Sequence, residues 1–181
     1  MYLYRFFYLY MALEIIMGSM YSGKSTELIR RVQRLKSIGM HCLVVNHTND
    51  TRVQGDFVQT HTGRKLKAVK TDDIVLLNTK PYDAIAIDEA QFFSNLQPAV
   101  AIMVENNKHV IVAGLTGDYQ RQKFGGILDL IPMADDVTFT RALCQSCSHP
   151  GRPASFTKRI SAEKETVSVV SEYIAVCRQC Y

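Results

Sequence analysis

The chain has 181 residues, 47% of them hydrophobic and 21% charged, with 5 Pro and a formal net charge of +4. That length carries one domain with a full core, or one core and a small appendage, and the composition excludes a disordered chain. The densest basic group, Arg30, Arg31, Arg34 and Lys36, reads as a solvated helix face, so no nucleic-acid partner is expected.

Met1 to Tyr10 is apolar and aromatic. It is too short for the ~20 residues of a membrane span and lacks the small-residue cleavage site of a secretory signal. Residues 1–11 are therefore expected to be a non-structural extension, with Met11 as the working start of a cytoplasmic protein that has no membrane partner.

Leu13 to Met17 predicts a buried strand running into Gly18-Ser19-Met20-Tyr21-Ser22-Gly23-Lys24-Ser25-Thr26. In this G-x-x-x-x-G-K-S spacing the glycines let the backbone turn tightly and aim N–H groups at phosphate oxygens. Lys24 then reaches the outer phosphates, and Ser25 offers a hydroxyl to Mg2+. A helix follows, with Leu28, Ile29, Val32, Leu35 and Ile38 at helical spacing, and its N-terminus adds a positive dipole end to the same anion site.

Cys42 to Asn46 predicts a second strand. The polar stretch from His47 to Lys65, with Asp50-Thr51-Arg52 and Thr60-His61, is long enough to be a functional loop at a strand end. Leu66 to Val69 and Asp72 to Asn78 are expected to be a short strand and a helix. Asp83 to Asp88 and His109 to Ala113 read as strands buried on both faces, with Leu96 to Val104 a helix that tolerates Pro98 in its first turn. Alternating strands and helices imply an α/β fold with a mostly parallel sheet covered on both faces, spanning residues 12–140.

Asp88 ends a buried strand at the edge where the phosphate loop opens, a place for a Mg2+ ligand. Glu89 is a second carboxylate that nucleotide binding alone does not require, and it suits a base that takes a proton as the γ-phosphoryl group moves. Spacing leaves open whether water or a substrate hydroxyl attacks.

Cys144-x-x-Cys147 and Cys177-x-x-Cys180 have the pairing of a four-thiolate zinc site, with disulfides as the competing arrangement where a secretory signal is present. Such a site would tie residues 141–181 into a small lobe, and the alternating segments Phe156 to Arg159 and Thr166 to Tyr173 read as a hairpin or extended loop able to close over a ligand. Loss of zinc is expected to loosen whatever the lobe holds.

Taken together, Gly18-x-Met20-x-Ser22-Gly23-Lys24-Ser25-Thr26-Glu27-Leu28, Asp50-Thr51-Arg52, Thr60-His61, Asp88-Glu89-Ala90-Gln91-Phe92-Phe93, Gly114 to Gln120 and the final Val176-Cys177-Arg178-x-Cys180-Tyr181 closely resemble the type II thymidine kinase family, from about Glu14 to the end. The resemblance implies a P-loop α/β domain with a zinc-bearing lasso domain, usually a homotetramer, that transfers the γ-phosphoryl group of ATP to the 5′-hydroxyl of thymidine and is inhibited by dTTP. It implies Glu89 as general base and a donor site formed by Gly18 to Thr26 with Asp88 and Gln91. Mg2+ falls to Ser25 and Asp88, support to Asp50 and Arg52, and zinc to the four cysteines. The implied thymidine pocket comprises Phe92, Leu115, Tyr119, Phe124 and Thr157, covered by Val167, Val169, Val170, Ser171, Glu172 and Tyr173. Tyr119 stands where many members have Phe. The competing functions are a P-loop ATPase whose zinc lobe binds another macromolecule, and a non-catalytic nucleotide-binding module.

Overall fold

The computed structural model describes residues 13–50, 55–60, 63–148, 150–161 and 172–181. In chain order its strands are β1 (Leu13–Gly18), β2 (Cys42–His47), β3 (Phe57–Gln59), β4 (Lys65–Lys67), β5 (Val69–Thr71), β6 (Ala84–Ile87), β7 (His109–Leu115) and β8 (Asp136–Thr140). Four short strands follow: β9 (Ala142–Leu143), β10 (Pro153–Ala154), β11 (Phe156–Arg159) and β12 (Tyr173–Val176). The α-helices are α1 (Lys24–Ser37) and α2 (Leu96–Glu105), with 3-10 turns at Ala90–Phe92 and Ile127–Met133.

Six strands form one sheet in the order β5-β2-β6-β7-β1-β8, and every neighbouring pair is parallel. Alternation along β1 divides the core. Ile16 faces α1 and packs with Leu28, Ile29, Val32 and Leu35, while Leu13, Ile15 and Met17 face α2 and the second 3-10 turn, meeting Leu96, Val100, Ile127 and Leu130. Each fully buried Leu or Ile contributes about 1.5–3 kcal/mol of transfer free energy, so the two apolar layers, rather than helix propensity, hold α1 and α2 in place.

The predicted elements are present with small shifts, and four differences have physical causes. Ile38 caps α1 and is 53% exposed, so the apolar stripe of the helix ends at Leu35. The long polar stretch contains an antiparallel hairpin, β3 with β4, because Val58 is buried beside Leu66 and Ala68. Asp72 to Asn78 makes bends instead of a helix. There the Thr71 hydroxyl accepts from Asp73 N at 3.1 Å and Asp73 Oδ1 accepts from Val75 N at 2.8 Å, side-chain bonds that compete with helical ones. Finally, β8 closes the sheet beside β1, an edge strand whose exposed Val137 and Phe139 alternate with polar residues.

Beyond β8, β9 pairs with β10 and β11 with β12, both antiparallel. The residues expected between Val167 and Ser171, together with Arg52 and the first eleven positions, lie outside the described residues.

Candidate active site

Because all six strands run the same way, their carboxyl ends open on one edge. Gly18 is level with Leu115 and Thr140, and Ile87 with Val112, so the loops after β1, β6, β7 and β8 meet there. Ligands of open parallel sheets bind at this edge.

The loop after β1 is shaped by its neighbours. Tyr21 and Gly23 both take left-handed backbone, at φ 61 and φ 83, and alternating handedness of this kind turns successive N–H groups into one concavity. Gly18 has a different role from Gly23. A Cβ on it would lie 2.3 Å from the carbonyl oxygen of Thr140, so glycine there permits close approach to β8. Ser22 Oγ and Thr140 Oγ1 are 2.8 Å apart. Lys24 is buried and its ammonium donates to the Ser19 carbonyl at 2.7 Å, which places the charge over the loop, and α1 starts at Lys24, with Ser25 and Thr26 in its first turn. The ensemble can cradle a polyanion, with a hydroxyl in reach of a cation bound to it.

Asp88 and Glu89 follow β6, 2% and 9% exposed. Glu89 sits at φ 51, ψ 40, a left-handed position that costs a non-glycine residue about 1–3 kcal/mol and persists only where surroundings enforce it. Its Oε2 accepts from Gln91 Nε2 at 2.5 Å, and Gln91 Oε1 accepts from the Leu115 backbone N–H at 3.0 Å.

Beside these acids an aromatic wall forms. Phe92 and Phe124 meet edge to face, with ring centroids 5.6 Å apart at 89°, and His47 packs its ring 5.6 Å from Phe92 and 4.7 Å from Phe93. Burial pushes the His47 imidazole below its ordinary value, the Asp72 carboxylate opposing. Asp50 is buried and accepts from Asn46 Nδ2 at 2.8 Å, which braces the turn after β2. Tyr119 lies under the Arg159 guanidinium, 3.9 Å from ring centroid to Cζ, and Arg159 Nη2 donates to the Tyr173 hydroxyl at 2.6 Å. The extra hydroxyl of Tyr119 accepts from Gln120 Nε2 at 3.2 Å. Thr157 accepts from the Met20 N–H at 3.1 Å, and so touches the phosphate loop directly. The Glu172 carbonyl, in turn, accepts from Ile160 N at 3.0 Å.

The fold thus links Phe92 with Phe124 and, through Gln91, Glu89 with Leu115, while Tyr119 and Tyr173 meet at Arg159. The sequence carried no warning of Arg159, His47 or Thr140. His47 could have been found as the last residue of a strand at the ligand edge; Arg159 carried no signal in its spacing.

The four cysteine Sγ atoms, from Cys144, Cys147, Cys177 and Cys180, lie within 4.8 Å of one another and are not joined as disulfides. A tetrahedral zinc with Zn–S of ~2.3 Å needs S···S of ~3.8 Å, so the set fits the ion after a small contraction. The Cys177 N–H already points at Cys144 Sγ, 3.2 Å away, as N–H groups do around thiolate ligands.

Residues 11–181 match the family model described as thymidine kinase. The chain belongs to the thymidine kinase family. Among curated thymidine kinases, the cytosolic enzyme of Homo sapiens is 39% identical over 176 residues, covering 93% of this chain and 72% of the relative. The enzyme of Variola virus is 39% identical over 173 residues, covering 93% and 96%, and that of Myxoma virus is 40% identical over 174 residues, covering 93% and 95%. Membership agrees with the α/β sheet and the cysteine cluster. Among the described residues no helix is long and apolar enough to cross a membrane.

Proposed function

We propose that this chain transfers the γ-phosphoryl group of ATP to the 5′-hydroxyl of thymidine. The observation that supports this reading is the position of Glu89, which follows β6 at the edge shared with the phosphate loop and caps the 3-10 turn that carries Phe92 of the Phe92–Phe124 pair. A hydroxyl held on that wall lies between a proton acceptor and the phosphate cradle, the arrangement that acceptor phosphorylation requires.

In this reading Gly18 to Thr26 hold the donor phosphates, and Glu89 takes the hydroxyl proton. Phe92, Leu115, Tyr119 and Phe124 enclose a neutral pyrimidine by apolar and aromatic contact. Ser25 and Asp88 would hold Mg2+, which neutralises charge on the transferring phosphates. The four cysteines would hold a structural zinc that keeps residues 141–181 together as a lasso domain over the α/β domain of residues 12–140. Since dTTP carries the acceptor base and phosphates in one molecule, it suits the same site as an inhibitor. The exposed apolar residues of the edge strand β8 support self-association, here a homotetramer, and the cytosolic relatives favour the cytoplasm.

The test is ADP release from Mg-ATP with and without thymidine, on zinc-loaded protein. Strong dependence on thymidine with dTMP formed is the expected result. Turnover indifferent to thymidine would replace this reading with an ATPase.

A further inference from the structure

Gln91 is 4% exposed and both polar atoms of its side chain are bonded. The Leu115 N–H can only donate, so the atom 3.0 Å from it must be the carbonyl oxygen Oε1. This fixes the amide orientation and leaves Nε2 as the donor facing Glu89 Oε2 at 2.5 Å. Gly114 lies beside this bond, where a Cβ would come within 2.8 Å of Gln91 Oε1. From the other side Gly125, at φ 65, approaches so closely that a Cβ would lie 2.2 Å from the Gln91 carbonyl oxygen. The last turn of β7, at Gly114, and the segment that leads into the second 3-10 turn, at Gly125, thus leave out side chains, the first beside the glutamine's amide and the second against its backbone. Glu89 meanwhile occupies backbone that only firm neighbours can enforce.

We propose that Gln91 is a positioning residue that fixes the Glu89 carboxylate for proton transfer, with Gly114 and Gly125 kept bare so that it can. The proposal rests on Glu89 being the general base. Gln91 is thereby assigned to the carboxylate in place of the donor site that the family resemblance implies for it. It acts through Glu89, carrying the rigidity of the β7 backbone to the carboxylate, and a base held in one direction needs no rearrangement when the acceptor arrives.

The experiment compares Gln91→Met, Gln91→Glu, Gly114→Ala and Glu89→Gln, alone and with Gln91→Met added to Glu89→Gln, by kcat, by KM for each substrate and by thermal midpoint. Gln91→Met should lower kcat at least about tenfold, with both KM values within about threefold of the parent. Gly114→Ala, which pushes Oε1 aside with Gln91 intact, should repeat that pattern. In Gln91→Glu the introduced carboxyl donates only when protonated, so its turnover relative to the parent should rise toward lower pH. Added to Glu89→Gln, Gln91→Met should cost nothing further, because it acts through the group already removed.

A kcat within about twofold of the parent in Gln91→Met would overturn the proposal. So would a loss confined to KM for ATP, which would make Gln91 a donor contact, and so would a further drop in the double variant. Full turnover in Glu89→Gln itself would instead remove the general base, a separate failure.

Discussion

The backbone N–H of Met20, in the phosphate loop, donates to the hydroxyl of Thr157 at 3.1 Å across 137 residues of chain. One position earlier, Ser19 Oγ donates to the Ala154 carbonyl at 3.1 Å. The cysteine-tied segment therefore holds the loop after β1 directly. Removal of zinc with a chelator should raise KM for ATP and for thymidine together. Isothermal titration with each ligand, before and after metal removal, measures it. An unchanged ATP affinity in the metal-free protein would contradict this coupling.

Glu89→Gln keeps the shape of the side chain and removes its basicity. It should bind ATP and thymidine normally and lose on the order of 10²–10⁴-fold in kcat, the usual contribution of a general base. Single-turnover measurement of dTMP formation separates this from slow product release.

The Arg159 guanidinium rests on Tyr119 and bonds Tyr173, linking the loop after β7 to β12. A cation–π contact of this kind is worth about 0.5–2 kcal/mol, so Arg159→Met should raise KM for thymidine about 2- to 30-fold with a smaller change for ATP. Tyr119→Phe keeps the ring and loses the bond from Gln120, which is exposed. Its kinetics should stay close to the parent, and a large loss there would shift the weight from the ring to the hydroxyl.

Far from the ligand edge, Arg31 Nη1 bonds Glu14, and also Asp136 at 3.0 Å, while its Nε reaches Glu27 at 2.8 Å. His109 Nε2 lies 2.7 Å from Glu14. For Glu14, burial acts upward, but the bonds to His109 and Arg31 outweigh it and hold the carboxyl below its ordinary value. Bonds from Arg30 first, then Arg31, bring Glu27 to about 2. Depressed carboxylates stabilise the fold above their unfolded value near 4.5 and lose that contribution as pH falls through the folded one. His47, lowered by burial, adds a milder loss that begins below its ordinary 6.5. Thermal midpoints should hold from neutral pH to about 6.5, decline gently below that, and fall steeply from pH 4.5 toward 2. Glu14→Gln should flatten the steep part, and a slope equal to the parent's would sink the assignment.

Gly18→Ala places a methyl 2.3 Å from the Thr140 carbonyl oxygen. The methyl's position is fixed by the backbone and the oxygen it meets is backbone, so the loop has to move. ATP affinity should fall at least about tenfold, since positioned N–H groups lose their aim within an ångström. Equilibrium binding of ATP without thymidine reads this directly.

Much of this site is legible in the sequence because its parts are local. The glycine spacing of residues 18–25 specifies a loop, the apolar run before Asp88 specifies a buried strand, and the cysteine pairs specify a cluster. What was not legible depends on partners distant in the chain. Gly18 reads as a turn residue until Thr140 is seen against it. Asp136 to Thr140 alternates weakly and gains strand structure from β1 rather than from its own pattern. Arg159 is one basic residue among 21 until Tyr119 and Tyr173 are placed on either side of it. Asp72 to Asn78 reads as helical because periodicity ignores the bonds a Thr and an Asp make with their own backbone.

The place of β1 between β7 and β8 also sets the order in which the molecule can assemble. β1 waits for partners at Val110 to Leu115 and Asp136 to Thr140, so α1 and β2 are made while β1 still has two bare edges. Pairing over such separations is slow and leaves apolar strands exposed meanwhile. The phosphate loop, leaning on Thr140, takes its final shape only after that residue has been made. A chain cut short before residue 140 would carry the whole glycine motif without the wall that gives it form.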